Sequence, residues 1–173
     1  MKHLLATLFT TSLIAGCAGL APGTEPVATA RMQATTGNTV TGVVNFAKHG
    51  DKVLVSGELR GFAPNTEHGF HIHEKGDCSS GDGMSAGGHF NPDAQQHGAF
   101  DHAEHHVGDL RSLKADATGV AKFSYESTSL SVDAGPKNII GRGLIVHQDP
   151  DDFKTQPTGN SGARVSCGVI GKS

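Results

Sequence analysis

The strongest constraint on the fold is that apolar residues occur in short runs that alternate with polar residues and end at Gly, Asn, Asp or Pro. Such alternation is typical of half-buried β-strands, and no segment shows a sustained helical period. Two weaker candidate strands are LRSLKAD and the segment from Thr29 to Thr35. The pattern predicts about eight strands with glycine-rich connections, and therefore an antiparallel sandwich or barrel. Six runs fit the pattern clearly: TVTGVVNFAK, KVLVSGELRG, HGFHIH, GVAKFSYE, GLIVH and RVSCGVI.

Two of the predicted connections are too long to be simple turns. The first runs from Glu74 to about Gly108, and the second runs from Gln148 to about Ala163. Long loops without secondary structure in a compact domain are usually functional or disordered. We predict that both loops are functional, the first most clearly because it carries most of the histidines.

The N-terminus reads as a secretory signal of the lipoprotein type. Lys2 precedes a mainly apolar stretch from Leu4 to Ile14, which is shorter than the ~20 residues of a spanning helix. The sequence Ile14-Ala15-Gly16-Cys17 is similar to a bacterial lipobox. That similarity implies removal of residues 1–16 and attachment of lipid to Cys17, which would hold the protein at a membrane surface. Ordinary signal cleavage and a soluble N-terminal helix are the alternatives.

We predict one folded domain after this signal. Residues 17–34, rich in small residues and Pro, are predicted to be a flexible tether, and residues 35–173 are predicted to form the domain. The net charge of −3 comes without a basic stripe, which excludes nucleic acid as a partner. With Cys17 lipidated, Cys78 and Cys167 remain as one pair, and an exported protein favours a disulfide between them.

Two histidines, His71 and His73, stand on alternate positions of the apolar run GFHIHEKGDCS, which spans Gly69 to Ser79. Alternate residues of a strand share a face. Phe70 and Ile72 are therefore predicted to point into the core, while the two histidines point out together. Two imidazoles on one rigid face can bind one metal ion; the alternative is two solvated histidines on a sheet surface.

Other potential metal ligands follow along the chain. Most of them are imidazoles and one is a carboxylate, a set that suits zinc and copper better than calcium or magnesium. These residues are His89 in GGHFNP, His97 in QQHGAF, His106 and Asp109 in HHVGD, and His147 in IVHQ.

This ordered set of motifs resembles the bacterial exported copper/zinc superoxide dismutases. GFHIHEKGDCS matches the first signature of that family and GNSGARVSCGVI matches the second, with GGHFNP, HVGDL and GRGLIVH between them. The resemblance covers the chain from about Thr39 to Ile170. It implies an all-β, eight-stranded Greek-key β-sandwich or flattened barrel that dismutates superoxide in the periplasm or cell envelope.

Carried over position by position, the resemblance also implies one copper and one zinc per subunit. His89 would serve both metals, and it is expected to gain a proton on reduction and donate it in the second half of the reaction. The implied copper ligands are His71, His73, His89 and His147, and the implied zinc ligands are His89, His97, His106 and Asp109.

Further roles are implied for residues near the metals. Asp151 is expected to link His71 to His97 by accepting a hydrogen bond from each ring, although Asp149 or Asp152 could compete. Arg164 is expected to attract and orient the superoxide anion beside the copper. Steering is expected to need more than one charge, and the loop lysines that could contribute are Lys75 and Lys154.

The remaining histidines are not predicted to be ligands. His102 and His105 are expected to be solvated, and neither His49 nor His68 is assigned a metal. Two rival functions stay open: a metal-binding protein without turnover, and a copper-only relative or chaperone-like domain, against which the complete set of zinc ligands argues. The subunit arrangement is not apparent from the sequence, and a homodimer is one possibility.

Overall fold

Nine β-strands and one short 3-10 helix form the regular structure of residues 26–173, the part of the chain that this computed structural model describes. The predicted signal, Cys17 and the first part of the predicted tether lie outside these residues. No helix within the described residues is long and apolar enough to cross a membrane. The strands are β1 (Ala28–Ala34), β2 (Thr41–His49), β3 (Lys52–Arg60), β4 (Glu67–His68), β5 (Phe70–His73), β6 (Leu113–Lys114), β7 (Val120–Ser127), β8 (Gly143–His147) and β9 (Arg164–Lys172), and the 3-10 helix is Met84–Ala86.

Seven of these strands form one antiparallel sheet in the order β5-β8-β9-β1-β2-β3-β7. Only β1-β2, β2-β3 and β8-β9 are neighbours both in the sheet and in strand order, so the other pairings require crossover connections. Strands β4 and β6 pair separately as a two-stranded sheet. The all-β antiparallel fold predicted from the alternating pattern is confirmed.

The strand count exceeds the prediction by one because Gly69 divides the predicted strand HGFHIH. His68 pairs with Leu113 in the small sheet, whereas Phe70 pairs with Val146 in the large one. Gly69 itself bonds to the second long loop, since its N–H donates to the Asp149 carbonyl at 2.9 Å. The two short strands therefore belong to different sheets.

The first strand corrects the predicted tether, which was to extend to residue 34. Residues 28–34 form β1 in the interior of the large sheet, paired with β2 on one side and β9 on the other. Ala28, Ala30 and Met32 are buried, so this segment alternates as a strand does even though its small residues resemble a linker. The segment overlaps the weaker strand predicted from Thr29 to Thr35, and the folded domain begins before residue 35.

Two apolar clusters lie on opposite faces of the sheet around β8. Leu144 and Val146 face the main core together with Phe70 and Ile72 of β5. Ile145 faces the other way and packs with a small cluster formed by Ala86, Cys167 and Cys78. The face of β5 and β8 that carries Ile145 is also the face that carries the histidines of these strands.

Two long loops cover this face: residues 74–112, here called the first loop, and residues 148–163, the second loop. The sequence predicted two long connections in these regions but not that they cover the histidines. A disulfide joins Cys78 of the first loop to Cys167 of β9, with the two Cα atoms 5.9 Å apart. The bond fixes the start of the first loop against the sheet, beside the small apolar cluster.

Candidate metal centre

Strands β5 and β8 hold three of the predicted ligands on one face of the sheet. His71 lies opposite Ile145 in the antiparallel pairing, so these two side chains share a face. His73 and His147 each follow one of them by two residues and therefore lie on the same face. Alternation with Phe70 and Ile72 predicts that His71 and His73 point outwards. Both are instead fully buried, because the two long loops cover the face on which they lie.

The first loop adds two further ligands by running alongside β5. The main chain of His89 pairs with His73, and that of Asp109 pairs with His71. These pairings are supported by Phe90, whose N–H donates to the Ile72 carbonyl at 2.8 Å. The loop residues are therefore aligned with the strand as if they were additional strands.

Four histidines bring ring nitrogens to one place. One nitrogen from each ring lies within 4.8 Å of the others, and we call this group the four-histidine cluster. The nitrogens His71 Nδ1, His73 Nε2, His89 Nε2 and His147 Nε2 are buried and have no hydrogen-bond partner. Buried polar atoms without partners are costly, so the convergence of these four nitrogens indicates a cation-binding site.

The opposite ring nitrogens of three of these histidines donate hydrogen bonds away from the cluster. His71 Nε2–H donates to Asp151 Oδ2 at 2.7 Å, and His73 Nδ1–H donates to the Gly87 carbonyl at 2.9 Å. His147 Nδ1–H donates to the Gly162 carbonyl at 3.2 Å. Each bond fixes the tautomer, so the lone pair of the other nitrogen is directed into the cluster, as in metal-ligating histidines.

A second group contains three imidazoles and one carboxylate, and we call it the mixed cluster: His89, His97, His106 and Asp109. The nitrogens His89 Nδ1, His97 Nδ1 and His106 Nδ1 lie 2.9, 3.0 and 3.3 Å from the oxygens of Asp109. Main-chain N–H groups of Gly98 and His106 donate to Asp109 Oδ2 and orient the carboxylate. Three nitrogens and one oxygen form a donor set that suits tetrahedral zinc.

His89 belongs to both clusters. Its Nδ1 faces Asp109 in the mixed cluster, while its Nε2 is the unpartnered atom in the four-histidine cluster. A single ring therefore presents one nitrogen to each group.

Burial sets the charge of three rings of the four-histidine cluster. It lowers the pKa of His73 well below its usual value, that of His89 to about 4 and that of His147 to about 3. Repulsion from neighbouring imidazoles adds to this lowering. These rings are neutral at pH 7, which is the form that binds metals.

The mixed cluster has the opposite electrostatic character. Burial would raise the pKa of Asp109, but its hydrogen bonds to three histidines outweigh that effect and keep the carboxyl ionised. Burial would lower the pKa of His97, yet its hydrogen bonds to Asp109 and Asp151 raise it to about 9. The two carboxylates therefore create a site that favours positive charge.

Asp151 connects the two clusters through hydrogen bonds from His71 and His97, the two rings that the resemblance implied. Its Oδ2 accepts from His71 and its Oδ1 accepts from His97 Nε2–H at 2.9 Å. The carboxylate is buried, and Phe153 N–H also donates to it. Neither Asp149 nor Asp152 takes this role: the side chain of Asp152 instead bonds to Lys154 and Thr155 within the loop.

Arg164, the first residue of β9, directs its guanidinium into the first loop. Nη1 donates to the Gly83 carbonyl at 2.7 Å and Nη2 donates to the Gly87 carbonyl at 2.6 Å. The Gly87 oxygen is also the acceptor for His73, so the arginine and this ring share one acceptor. Within residues 26–173 Arg164 forms no ion pair, and its charge contributes to the lowered pKa of both His73 and His147.

The two loop lysines are less closely connected to the clusters. Lys75 and Lys154 are both exposed, and neither forms an ion pair with another described residue. Lys75 lies at the start of the first loop, where its N–H donates to the Ala86 carbonyl.

Of the remaining histidines, His68 has a contact that the sequence did not indicate. Its Nδ1–H donates to the main-chain carbonyl of His147 at 2.8 Å, and its Nε2 lies 2.8 Å from Thr66 Oγ1. The ring packs on Phe62. The only available signal was that His68 precedes Phe70 by two residues, so that in a continuous strand it would share the face of this core residue. His49, His102 and His105 belong to neither cluster.

The chain is similar in sequence to known copper/zinc superoxide dismutases. The family model for copper/zinc superoxide dismutase (SODC) matches residues 40–170. A Cu-Zn superoxide dismutase of Paramecium bursaria Chlorella virus 1 is 43% identical over 138 residues, covering 76% of this chain and 73% of the viral protein. That of Saccharomyces cerevisiae is 43% identical over 140 residues, covering 76% of this chain and 90% of the yeast protein.

A solved structure also matches. The crystal structure of the clock protein EA4 superimposes with a TM-score of 0.78 at 37% sequence identity, covering 86% of this chain and 96% of that chain.

Proposed function

The chain belongs to the copper/zinc superoxide dismutase family, and from that membership we propose that the four-histidine cluster binds copper and the mixed cluster binds zinc. As a member of the family the protein is an oxidoreductase that dismutates superoxide and uses copper and zinc as cofactors. The division of the ligands between the metals is our proposal, as is the bridging role of His89.

The observation that carries this division is the set of four buried, unpartnered ring nitrogens. Four nitrogens without a carboxylate suit copper(II), whereas the three nitrogens and one oxygen of the mixed cluster suit zinc. His89 fits the bridging role because each of its nitrogens faces a different cluster. Loss of its second proton is favoured when cations flank the ring on both sides.

When bound, copper supplies a one-electron redox couple and zinc supplies a fixed positive charge. The protein side chains bind the substrate and deliver protons, so that two superoxide ions and two protons become dioxygen and hydrogen peroxide. His89 carries a proton at Nε2 in the second half of the cycle and donates it to the forming peroxide.

Arg164 binds and orients the anion. Its two carbonyl contacts use one N–H from each terminal nitrogen, which leaves further N–H donors of the guanidinium for a substrate oxygen. Because those carbonyls hold the side chain in place, its charge is fixed relative to His73. Lys75 and Lys154 are proposed to add to the positive field at the loop surface.

The test is to measure the metal content of the purified mature protein alongside its rate of superoxide dismutation. We expect one copper and one zinc per chain, together with rapid dismutation and stoichiometric peroxide. A protein that holds both metals and produces no peroxide above the uncatalysed rate would instead be a metal-binding protein without turnover.

We further propose that the protein is exported to the periplasm or cell envelope and anchored by lipid at Cys17. The lipobox-like sequence Ile14-Ala15-Gly16-Cys17 supports this location, and so does the disulfide, since such bonds persist in oxidising compartments. Expression with labelled fatty acid is expected to label the wild type and not Cys17→Ser. Labelling of both, or of neither, would contradict the anchor.

A homodimer is also proposed; the large apolar side chains that it could cover are Val27, Met84 and Val169, the exposed ones among the described residues. Sedimentation velocity of the mature domain decides the matter: a single species of monomer mass at micromolar concentration would contradict it.

A further inference from the structure

The second loop holds His97 by its main chain as well as by its ring. Gln156 Oε1 accepts a hydrogen bond from the main-chain N–H of His97 at 2.9 Å, and Gln156 Nε2 donates to the His97 carbonyl at 2.9 Å. One planar amide thus satisfies both main-chain polar groups of a single residue, as a neighbouring strand would. Although the glutamine is exposed as a whole, the histidine that it contacts is buried.

The ring of His97 is held by the same loop. Its Nε2–H donates to Asp151 Oδ1 at 2.9 Å, while its Nδ1 lies 3.0 Å from Asp109 Oδ2 in the mixed cluster. With the main chain fixed by Gln156 and the far side of the ring fixed by Asp151, the direction of Nδ1 is determined. The second loop therefore aims a ligand that belongs to the first loop.

Gln156 is presented by a turn with its own internal hydrogen bonds. The Asp152 carboxylate accepts from the N–H groups of Lys154 and Thr155 at 2.9 and 2.8 Å, and from the Thr155 hydroxyl at 2.6 Å. The Gly159 N–H donates to the Thr155 carbonyl, and the Asp152 N–H donates to the Gly159 carbonyl. Local bonds thus preorganise the turn that carries the amide.

We propose that Gln156 is a positioning residue for the mixed cluster, acting on zinc binding through the main chain of His97; the proposal rests on the zinc assignment made above. Since coupling between two sites is reciprocal, zinc in the mixed cluster also orders the second loop through the same two bonds. Nothing in the sequence marks this glutamine, because its partners are main-chain groups of a distant residue.

The test compares Gln156→Met with Gln96→Met. Methionine keeps the length of the side chain and removes both hydrogen-bonding groups. Gln96 is a matched control because it is also exposed, is next to His97 in the chain, and has no side-chain hydrogen bond with a described residue. Zinc affinity is measured by competition with a chromophoric chelator, and copper affinity is measured separately.

We expect Gln156→Met to weaken zinc binding by about tenfold, the lower end of what outer partners of ligating histidines contribute. Gln96→Met is expected to change it less than about twofold, and copper binding is expected to be unchanged in both variants. A merely structural role would not separate the two metals. Hydrogen exchange gives a second measurement. The main-chain amide of His97 is expected to exchange faster in Gln156→Met than in the wild type, both without zinc and with zinc bound.

Equal zinc affinities for the two variants would overturn the proposal. Should Gln156→Met fail to fold, Gln156→Glu keeps the acceptor oxygen and loses the donor, so weaker zinc binding supports the proposal and unchanged binding contradicts it. A wild-type protein that binds no zinc at the mixed cluster would contradict the proposed function instead, independently of Gln156.

Discussion

At the scale of single residues, the histidines of β5 and β8 use their two ring nitrogens for different purposes. The outward nitrogen donates to a carbonyl or to Asp151, and the inward nitrogen stays free as a ligand. Replacing a ligand and replacing its outward partner should therefore have different effects. The first change removes the atom that binds the metal, whereas the second leaves that atom in place but no longer fixes the orientation of its ring.

Replacing His147 tests the division of ligands. This ring contributes to the four-histidine cluster and to no other, so His147→Ala is expected to reduce dismutation to the rate of copper-free protein while zinc binding is retained. Elemental analysis of protein dialysed against both metals, together with an activity assay, measures the two effects. Loss of both metals to the same extent would contradict the assignment.

Reversing the charge of Arg164 tests its contact with the substrate. A close charge contributes a few kcal/mol to the binding of an anion in a partly buried site, so Arg164→Glu is expected to slow dismutation at least about tenfold at low salt. The difference should shrink as ionic strength rises, because salt screens the interaction. Lys172→Glu, at the far end of β9, makes the same change in net charge and is the control. Equal rates for the two variants at low salt would place Arg164 outside the substrate path.

At the scale of elements, the second loop depends on a glycine packed against the Asp151–His97 hydrogen bond. Gly159 has φ +66°, and a Cβ there would overlap Asp151 Oδ1 and lie 2.5 Å from His97 Nε2. Gly50 has nearly the same conformation, φ +64°, but a Cβ there would meet no atom within 4 Å. The two glycines therefore separate backbone strain from steric overlap.

Alanine at these two positions is expected to have unequal effects. Both variants incur the cost of a left-handed conformation, about 1 kcal/mol. Gly159→Ala is expected to lose a further 1 to 3 kcal/mol, roughly, from overpacking, and to bind zinc more weakly. Chemical denaturation of the metal-free proteins and a zinc titration measure these effects. Equal losses of stability and unchanged zinc binding would show that the close packing at Gly159 is not needed.

The sequence predicted the strands more completely than it predicted the loop contacts. Alternation along β5 placed Phe70 and Ile72 in the core, because the period of a strand is a local property. The same alternation in β1 was outweighed by its tether-like composition. It also could not reveal that His71 and His73 are buried, since the cover comes from loops distant in sequence.

The candidate ligands were recognisable in the sequence because their motifs are specific in order and spacing. The contacts that support these ligands were not recognisable. His68 and Gln156 bond to main-chain groups of His147 and His97. Any residue supplies such groups, so the sequence of the partner carries no signal. Only the folded structure shows which carbonyl or N–H lies within reach.

At the scale of the whole molecule, the disulfide closes a long segment, since Cys78 and Cys167 are 89 residues apart. In the chain-entropy model, closure of such a loop stabilises the fold by about 4 to 5 kcal/mol. The double variant Cys78→Ser, Cys167→Ser is expected to lose most of this in denaturant unfolding of the metal-free domain. A loss below about 1 kcal/mol would mean that the closed loop adds little constraint to the unfolded chain.

The pairing of β1 with β9 also means that the order of the strands along the chain could be changed without changing the fold. Ala28 pairs with Lys172, and the side chains of Thr29 and Ser173 are in hydrogen-bonding contact at 2.8 Å, so the two ends of the domain meet side by side. A few linking residues could join them, and new ends could be opened at the exposed turn between β2 and β3. Such a circular permutant would keep every strand pairing of the sheet, while its polypeptide would begin at β3 and end at β2.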